Sequence, residues 1–257
     1  NGSGVLSWGN DSVTPGAGSI TAAMIASGLQ LGTIDAQQNT LLGSTAGDSF
    51  SGTDATYNTL IGYAAGTAIT TGDYNVALGK TALSNSTTAS SNTAIGSNSL
   101  HTNTTGDNNV AVGRDALYAN TTGAANVAIG QATLQSNTTG TQNTAIGRLS
   151  LAANTTANEN TAIGYNALND NTTGTGNVAV GHDALELNTI GNTNTAVGRR
   201  ALDANTEGSY NCAFGNSALD ENTTGSSNTA LGTQTLQLNT TASNNTAVGY
   251  QSLKANT

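Results

Sequence analysis

The stretch Asn160 to Gly176, NTAIGYNALNDNTTGTG, decides the fold, because a close copy begins at Asn177 and further copies fill most of the chain. With Asn as position 1, thirteen units begin at Asn39, Asn58, Asn75, Asn92, Asn109, Asn126, Asn143, Asn160, Asn177, Asn194, Asn211, Asn228 and Asn245. Starts are 17 residues apart from Asn58 onward, and the first interval is 19 residues. This regularity is typical of a stack in which each unit forms one turn.

Several positions of the unit hardly vary. Position 5 is Gly in all thirteen units, position 4 is always apolar, and position 3 is Ala from Ala77 onward. Position 9 is Leu from Leu83 to Leu253, and position 12 is Asn from Asn103 to Asn256. Position 2 is Thr or Val, with Cys212 once. The invariant positions must therefore carry the packing, and the variable ones face solvent.

A unit of 17 residues is too short for a helical hairpin repeat and fits one turn of a β-solenoid. Side chains alternate along a strand, so positions 2 and 4 share one face and Ala at position 3 lies on the other. We expect positions 2, 4 and 9 to form the core, with Gly at position 5 at a bend. The predicted core includes Ile95, Leu100, Ile129, Leu134, Ile146, Leu151, Ile163 and Leu168.

The asparagines at position 12 are predicted to stack as a ladder, each amide bonding to the next turn. This structural ladder comprises Asn103, Asn120, Asn137, Asn154, Asn171, Asn188, Asn205, Asn222 and Asn239.

Composition agrees with a thin, continuous core, since aromatic residues make up 4% and charged residues 8% of the chain. The net charge of −9 argues against nucleic-acid binding through a basic patch. Cys212 cannot form an internal disulfide and is expected to be a small buried filler. No apolar run is long enough for a transmembrane helix, so we expect no membrane insertion.

Two regions are expected. Residues 1–38 form a connector or cap with a short helix at Ser19 to Leu31, and they carry no signal-peptide pattern. Residues 39–257 form the solenoid array, irregular over 39–74 and regular over 75–257.

The core motif NVAIG at Asn126 to Gly130, and NTAIG at Asn160 to Gly164, resembles the head repeats of trimeric autotransporter adhesins. The resemblance implies a left-handed parallel β-roll with three chains around one axis. The start NGSGVLSWG at Asn1 to Gly9 is similar to linkers of bacteriophage tail-fibre repeat regions. The unit here is longer than the adhesin unit and adds the segment NTTG.

A physical argument also favours a homotrimer. One turn has few apolar side chains to bury, and the bare Ala file at position 3 is expected to let three sheets approach closely. Thirteen turns would give a rod about 60 Å long.

Few residues of the sequence could support catalysis or metal binding. His101 and His182 fall in different units and different positions, and the neighbouring carboxylates Asp203 and Asp220 recur without a catalytic pattern. We expect no enzyme activity, no cofactor and no metal site. We also expect no aromatic ladder for sugar stacking along the rod.

The segment Asn-Thr-Thr at positions 12 to 14 has three interpretations. It matches the N-glycosylation sequon, it offers Thr files that could order ice, and it suits a turn whose side chains bond the next turn. The turn is the favoured interpretation, since Ile190 and Glu207 interrupt the position 14 file.

The sequence thus predicts a non-enzymatic fibre segment of a trimeric adhesin or phage tail fibre, outside the cell or on a virion. It would project or mediate attachment to a cell-surface glycan or protein receptor. The alternatives are a self-assembling extracellular filament, formed by end-to-end stacking, and an ice-binding solenoid.

Overall fold

The structure, a computed structural model, describes residues 33–34, 37–50 and 54–255. These residues contain fourteen short strands in one sheet, ordered as they occur in the chain. The strands are β1 (Thr33–Ile34), β2 (Thr40–Leu42), β3 (Thr59–Ile61), β4 (Val76–Leu78), β5 (Thr93–Ile95), β6 (Val110–Val112), β7 (Val127–Ile129), β8 (Thr144–Ile146), β9 (Thr161–Ile163), β10 (Val178–Val180), β11 (Thr195–Val197), β12 (Cys212–Phe214), β13 (Thr229–Leu231) and β14 (Thr246–Val248).

Strands β2 to β14 cover positions 2 to 4 of the thirteen units, and each pairs in parallel with the next. Equivalent positions face each other, as Ala145 faces Ala162 between β8 and β9. Only β1 pairs antiparallel, with β2. The predicted all-β solenoid with 17-residue spacing is confirmed, and the described residues contain no helix. The predicted helix at 19–31 lies outside the described residues.

The interior is built differently from the prediction. Ala at position 3 points inward and is fully buried in turn after turn, as at Ala145 and Ala162, where it lies in one cluster with the leucines at position 9. Position 4 points outward. The predicted core leucines, Leu100, Leu134, Leu151 and Leu168, are fully buried.

The predicted core isoleucines are wrong. Ile95 and Ile146 are only half-buried, and Ile129 and Ile163 are 38% and 37% exposed. Leu at position 9 already fills the interior opposite the strand, so only a methyl group fits at position 3. Where position 9 is Gly66, position 3 is instead the fully buried Leu60. The alternation along the strand was predicted correctly, but its two faces were exchanged. Cys212 shares the outward face at position 2 and is half-buried, so it is not a core filler.

The chain bends by adopting left-handed backbone at residues that seldom allow it. In one representative turn, Asn166 at position 7 and Leu168 at position 9 both have φ of 53°. Asparagine tolerates this conformation, but for a leucine it costs roughly 1–2 kcal/mol. Hydrogen bonds between turns offset that cost, as where the Leu168 N–H donates to the Ala184 carbonyl at 3.0 Å. Each turn therefore depends on its neighbours for its shape.

Candidate functional site

The position 12 asparagines form a continuous buried ladder. Asn103, Asn120, Asn137, Asn154, Asn171, Asn188, Asn205, Asn222 and Asn239 are all fully buried. From Asn120 onward, each Nδ2 donates to Oδ1 of the asparagine one turn before, at 2.7 to 3.2 Å. The same Nδ2 also donates to the position 15 carbonyl of its own turn, as Asn137 does to Gly140 at 3.0 Å. The ladder ties turns together and leaves no amide free for a ligand.

A second ladder, at position 1, was missed by sequence reasoning. The Asn126 backbone N–H and Nδ2 both donate to Asn109 Oδ1, at 3.0 and 3.1 Å. Nδ2 also donates to the Gly140 carbonyl at 2.8 Å, so both ladders bind the same carbonyl file. The sequence does contain the signal for this ladder, because Asn occupies position 1 of all thirteen units. That Asn was used only to define where each unit begins.

The Asn and first Thr side chains of the Asn-Thr-Thr segment already form hydrogen bonds within the protein. Its asparagines are the buried ladder residues, so a glycan on Asn120, for example, would have to break the bonds that Asn120 makes to Asn103 and Gly123. The position 13 threonines use their hydroxyls in the same way. Thr121 Oγ1 donates to the Thr138 carbonyl at 3.0 Å. These contacts favour the turn over both the glycosylation and the ice-binding interpretations.

Positions 2 and 4 of β4 to β14 form an outward surface that we call the sheet face. Its position 4 file is apolar throughout and partly exposed, with Leu78 at 44%, Phe214 at 41% and Leu231 at 37%. Position 2 adds Thr and Val beside it, and no charged residue occurs at either position. Isolated exposed apolar residues are ordinary, but an uninterrupted file of them from β4 to β14 makes the sheet face a candidate interaction surface.

The neighbouring carboxylates of Asp203 and Asp220 both pair with the guanidinium of Arg200. Arg200 Nε lies 2.9 Å from Asp203 Oδ2, and Arg200 Nη2 lies 3.2 Å from Asp220 Oδ1. A bridging guanidinium suits a structural ion pair and leaves neither carboxylate placed as a free nucleophile or base.

The two histidines lie five turns apart and are engaged locally. His101 stacks on Tyr118 with ring centroids 5.1 Å apart, and its Nδ1 lies 2.9 Å from Ser84 Oγ. His182 Nδ1 lies 2.6 Å from Asp183 Oδ2. Within the described ranges, no three His, Cys, Asp or Glu side chains are grouped to hold a metal ion.

Burial, and then the nearby Asp183 and Asp203, raise the pKa of Glu186 from 4.5 to about 7. Its folded-state pKa exceeds its unfolded value, so the native state loses stability as pH rises from about 4.5 to about 7. We expect Glu186→Gln to stabilise the chain at pH 8 by about 1 kcal/mol, a figure reduced for solvent screening, and to leave stability at pH 4 unchanged.

Urea denaturation of both proteins across this pH range measures the effect. Equal stabilisation at both pH values would show that charge at Glu186 is not the cause. Glu221→Gln is a control, because Glu221 is exposed in the next turn but one.

No family model, curated protein or solved structure matches the chain. The described residues contain no helix that is long and apolar enough to cross a membrane.

Proposed function

We propose that this chain is a non-enzymatic structural fibre segment in which three copies pack around one axis through the sheet face. The observation that carries this proposal is the uninterrupted apolar file at position 4, exposed along the length of the sheet. A rod that kept this file in water would be prone to associate through it.

The size of the face supports association between copies. The eleven strands of the face, at about 4.8 Å each, extend roughly 50 Å, and two side-chain files are about 10 Å wide, so the face covers about 500 Å². That is more than half of the roughly 800 Å² per partner of a standard interface, before its flanks are counted. The absence of charge at positions 2 and 4 removes the usual obstacle to burying such a surface.

The packing we propose differs from the one that the sequence suggested. Small Ala side chains do not seal the assembly, because they fill the interior of each chain. Instead, Ile, Val and Leu at position 4 of three chains would build a shared core, with Thr and Val at position 2 at its margin. The resemblance to trimeric adhesin heads supports a left-handed coil and three-fold symmetry.

In this function the rod is a stiff extracellular or virion-borne spacer of an adhesin or tail fibre, which projects or attaches to a cell surface. Two ladders of buried amides and a sheet that is parallel from β2 to β14 support stiffness, because each of these turns is bonded to its neighbours. Nothing in the described ion pairs or histidine contacts favours catalysis.

Light scattering of the whole chain should give a mass of three copies, and electron micrographs should show short rods. Ile129→Glu combined with Ile163→Glu should reduce the mass to one copy, because six carboxylates would enter the shared core. Ile190→Glu is the matched control, since Ile190 is 49% exposed but lies at position 14, away from the face. It should leave the mass unchanged.

A single-chain mass for the unmodified protein would contradict the proposal. A monomer with thermal hysteresis would favour the ice-binding alternative, with the sheet face rather than the Thr files as the surface. Long polymers that survive the double substitution would favour the end-to-end filament.

A further inference from the structure

Position 6 of the unit, just past the glycine bend, concentrates the positive charge of an acidic chain. Four of the six Lys and Arg residues occupy it, and none of the fifteen Asp and Glu residues does. We call Lys80, Arg114, Arg148, Tyr165, His182 and Arg199 the basic ridge. All six side chains are exposed.

The basic ridge follows the long axis of the rod, because equivalent positions stack from turn to turn. Lys80, Arg114, Arg148 and His182 are spaced two turns apart, which corresponds to about 10 Å. Polar side chains lie between them in the same file, such as Ser97 and Gln131. The four Lys and Arg residues of the ridge are therefore two or three turns apart, separated by side chains that can form hydrogen bonds.

Aromatic residues belong to the same file. Tyr63, Tyr165 and Tyr250 all lie at position 6, six and five turns apart, whereas the other four tyrosines lie at other positions. Arg148 lies over the Tyr165 ring, with its Cζ 5.6 Å from the centroid, and Tyr165 packs on His182 at 5.1 Å. These contacts hold neighbouring ridge side chains together before any ligand binds.

Most of the ridge charge has no internal partner. Arg114 lies 3.5 Å from Asp115, and His182 lies 2.6 Å from Asp183. Lys80, Arg148 and Arg199 take part in none of the ion pairs among the described residues. Arg148 contacts Tyr165, through the ring and by a 3.4 Å hydrogen bond to its hydroxyl, but none of these three charges is paired with a carboxylate in an ion pair. They are therefore accessible to an external anion.

We propose that the basic ridge binds a linear acidic polysaccharide lying along the rod, with about one carboxylate or sulfate per disaccharide. Guanidinium groups pair with such anions bidentately, and the intervening polar side chains suit sugar hydroxyls. Each exposed contact is weak, but a repeating ligand on a repeating ridge engages several together.

Charge density separates this ligand from a nucleic acid. Phosphates in DNA recur about every 3.4 Å along each strand, roughly three times as often as the ridge cations. The net charge of −9 also repels a dense polyanion, whereas a sparsely charged polysaccharide confined to one file meets little of that repulsion. The inference rests on the proposed function, since it names the surface component that the rod would attach to.

The test measures binding of the whole chain to hyaluronan, which carries one carboxylate per disaccharide, by calorimetry at low and physiological salt. Arg148→Gln combined with Arg199→Gln should weaken binding about tenfold and reduce its salt dependence. The matched control compares Arg148→Gln alone with Lys254→Gln, which also removes one positive charge but outside the ridge, and Lys254→Gln should retain near-native affinity. Dextran should not bind.

Equal losses in Arg148→Gln and Lys254→Gln, no binding to hyaluronan, or tighter binding to a single-stranded oligonucleotide would each overturn the proposal. A ridge variant that changes the mass of the assembly instead would show that position 6 contacts another copy, and would overturn it too. Light scattering of the same samples separates the two proposals. A monomer that binds hyaluronan would contradict the proposed trimer but not the proposed polysaccharide binding. A trimer that does not bind hyaluronan would contradict the proposed polysaccharide binding but not the trimer.

Discussion

Gly147→Ala is expected to destabilise the array by about 4 kcal/mol, among the largest effects of any single methyl group in this chain. Gly147 has a φ of 128°, a region that side chains disfavour. A Cβ built there would lie 2.3 Å from the Gly164 carbonyl oxygen and 2.7 Å from its carbon. Both atoms belong to backbone, so neither can rotate away.

The clash would spread because the glycine file holds the spacing between turns. The Gly164 N–H donates to the Ile146 carbonyl at 2.8 Å, one residue from the added methyl group. Moving the turns apart to admit the methyl would lengthen this bond and the strand pairing between β8 and β9. We therefore expect faster hydrogen exchange of amides in these two turns, and a lower urea midpoint.

Gly176→Ala is the matched control, because Gly176 also has positive φ, at 66°, but a Cβ there would meet only Thr193 Oγ1 at 3.7 Å. Ala125 occupies the equivalent position in another turn, with φ of 57°. The control should cost about 1 kcal/mol. Equal losses at both sites would show that backbone conformation alone, and not close approach, requires Gly147.

The period, the strand and the glycine bend could be predicted from sequence because each depends on local chemistry. Gly at position 5 requires a special backbone or close approach, and the structure shows both at Gly147. The ladder at position 12 followed from an uninterrupted Asn file in a stack. The strand and the glycine recur in all thirteen units and the position 12 asparagine in ten, and this repetition distinguishes them from chance patterns.

The orientation of the strand could not be predicted in the same way. Alternation shows that Ala162 and Ile163 face opposite sides but not which side is inside. Hydrophobicity predicts Ile163 in the core, but the width of the interior opposite Leu168 leaves room only for Ala162. That width depends on how Leu168 returns across the interior, which is a tertiary property. The sheet face was missed as a consequence, and the basic ridge was missed because position 6 varies too much to look like a motif.

The second large effect is expected from Asn137→Ala, which should destabilise the array by about 3 kcal/mol. Asn137 Nδ2 donates to Asn120 Oδ1 at 2.9 Å, and its Oδ1 accepts from Asn154 Nδ2 at 2.8 Å. Alanine leaves both neighbours with a buried polar atom lacking that partner, and it leaves a cavity that is closed to solvent. Thermal and urea denaturation at fixed protein concentration measure the loss.

Asn216→Ala is the control, since Asn216 is exposed at position 6, and it should change stability by less than about 0.5 kcal/mol. A loss below about 1 kcal/mol for Asn137→Ala would mean that the ladder contributes little.

A substitution that adds an asparagine to the ladder should stabilise the array, just as removing one should destabilise it. Ser86 occupies position 12 one turn before Asn103, and its buried Oγ has no hydrogen-bond partner among the described residues. Ser86→Asn would extend the ladder by one turn, with Nδ2 donating to the Ala89 carbonyl and Oδ1 accepting from Asn103. We expect a gain of about 1 kcal/mol. A gain here with a loss at Asn137 would establish that stability grows with the length of the ladder, as a one-dimensional stack requires.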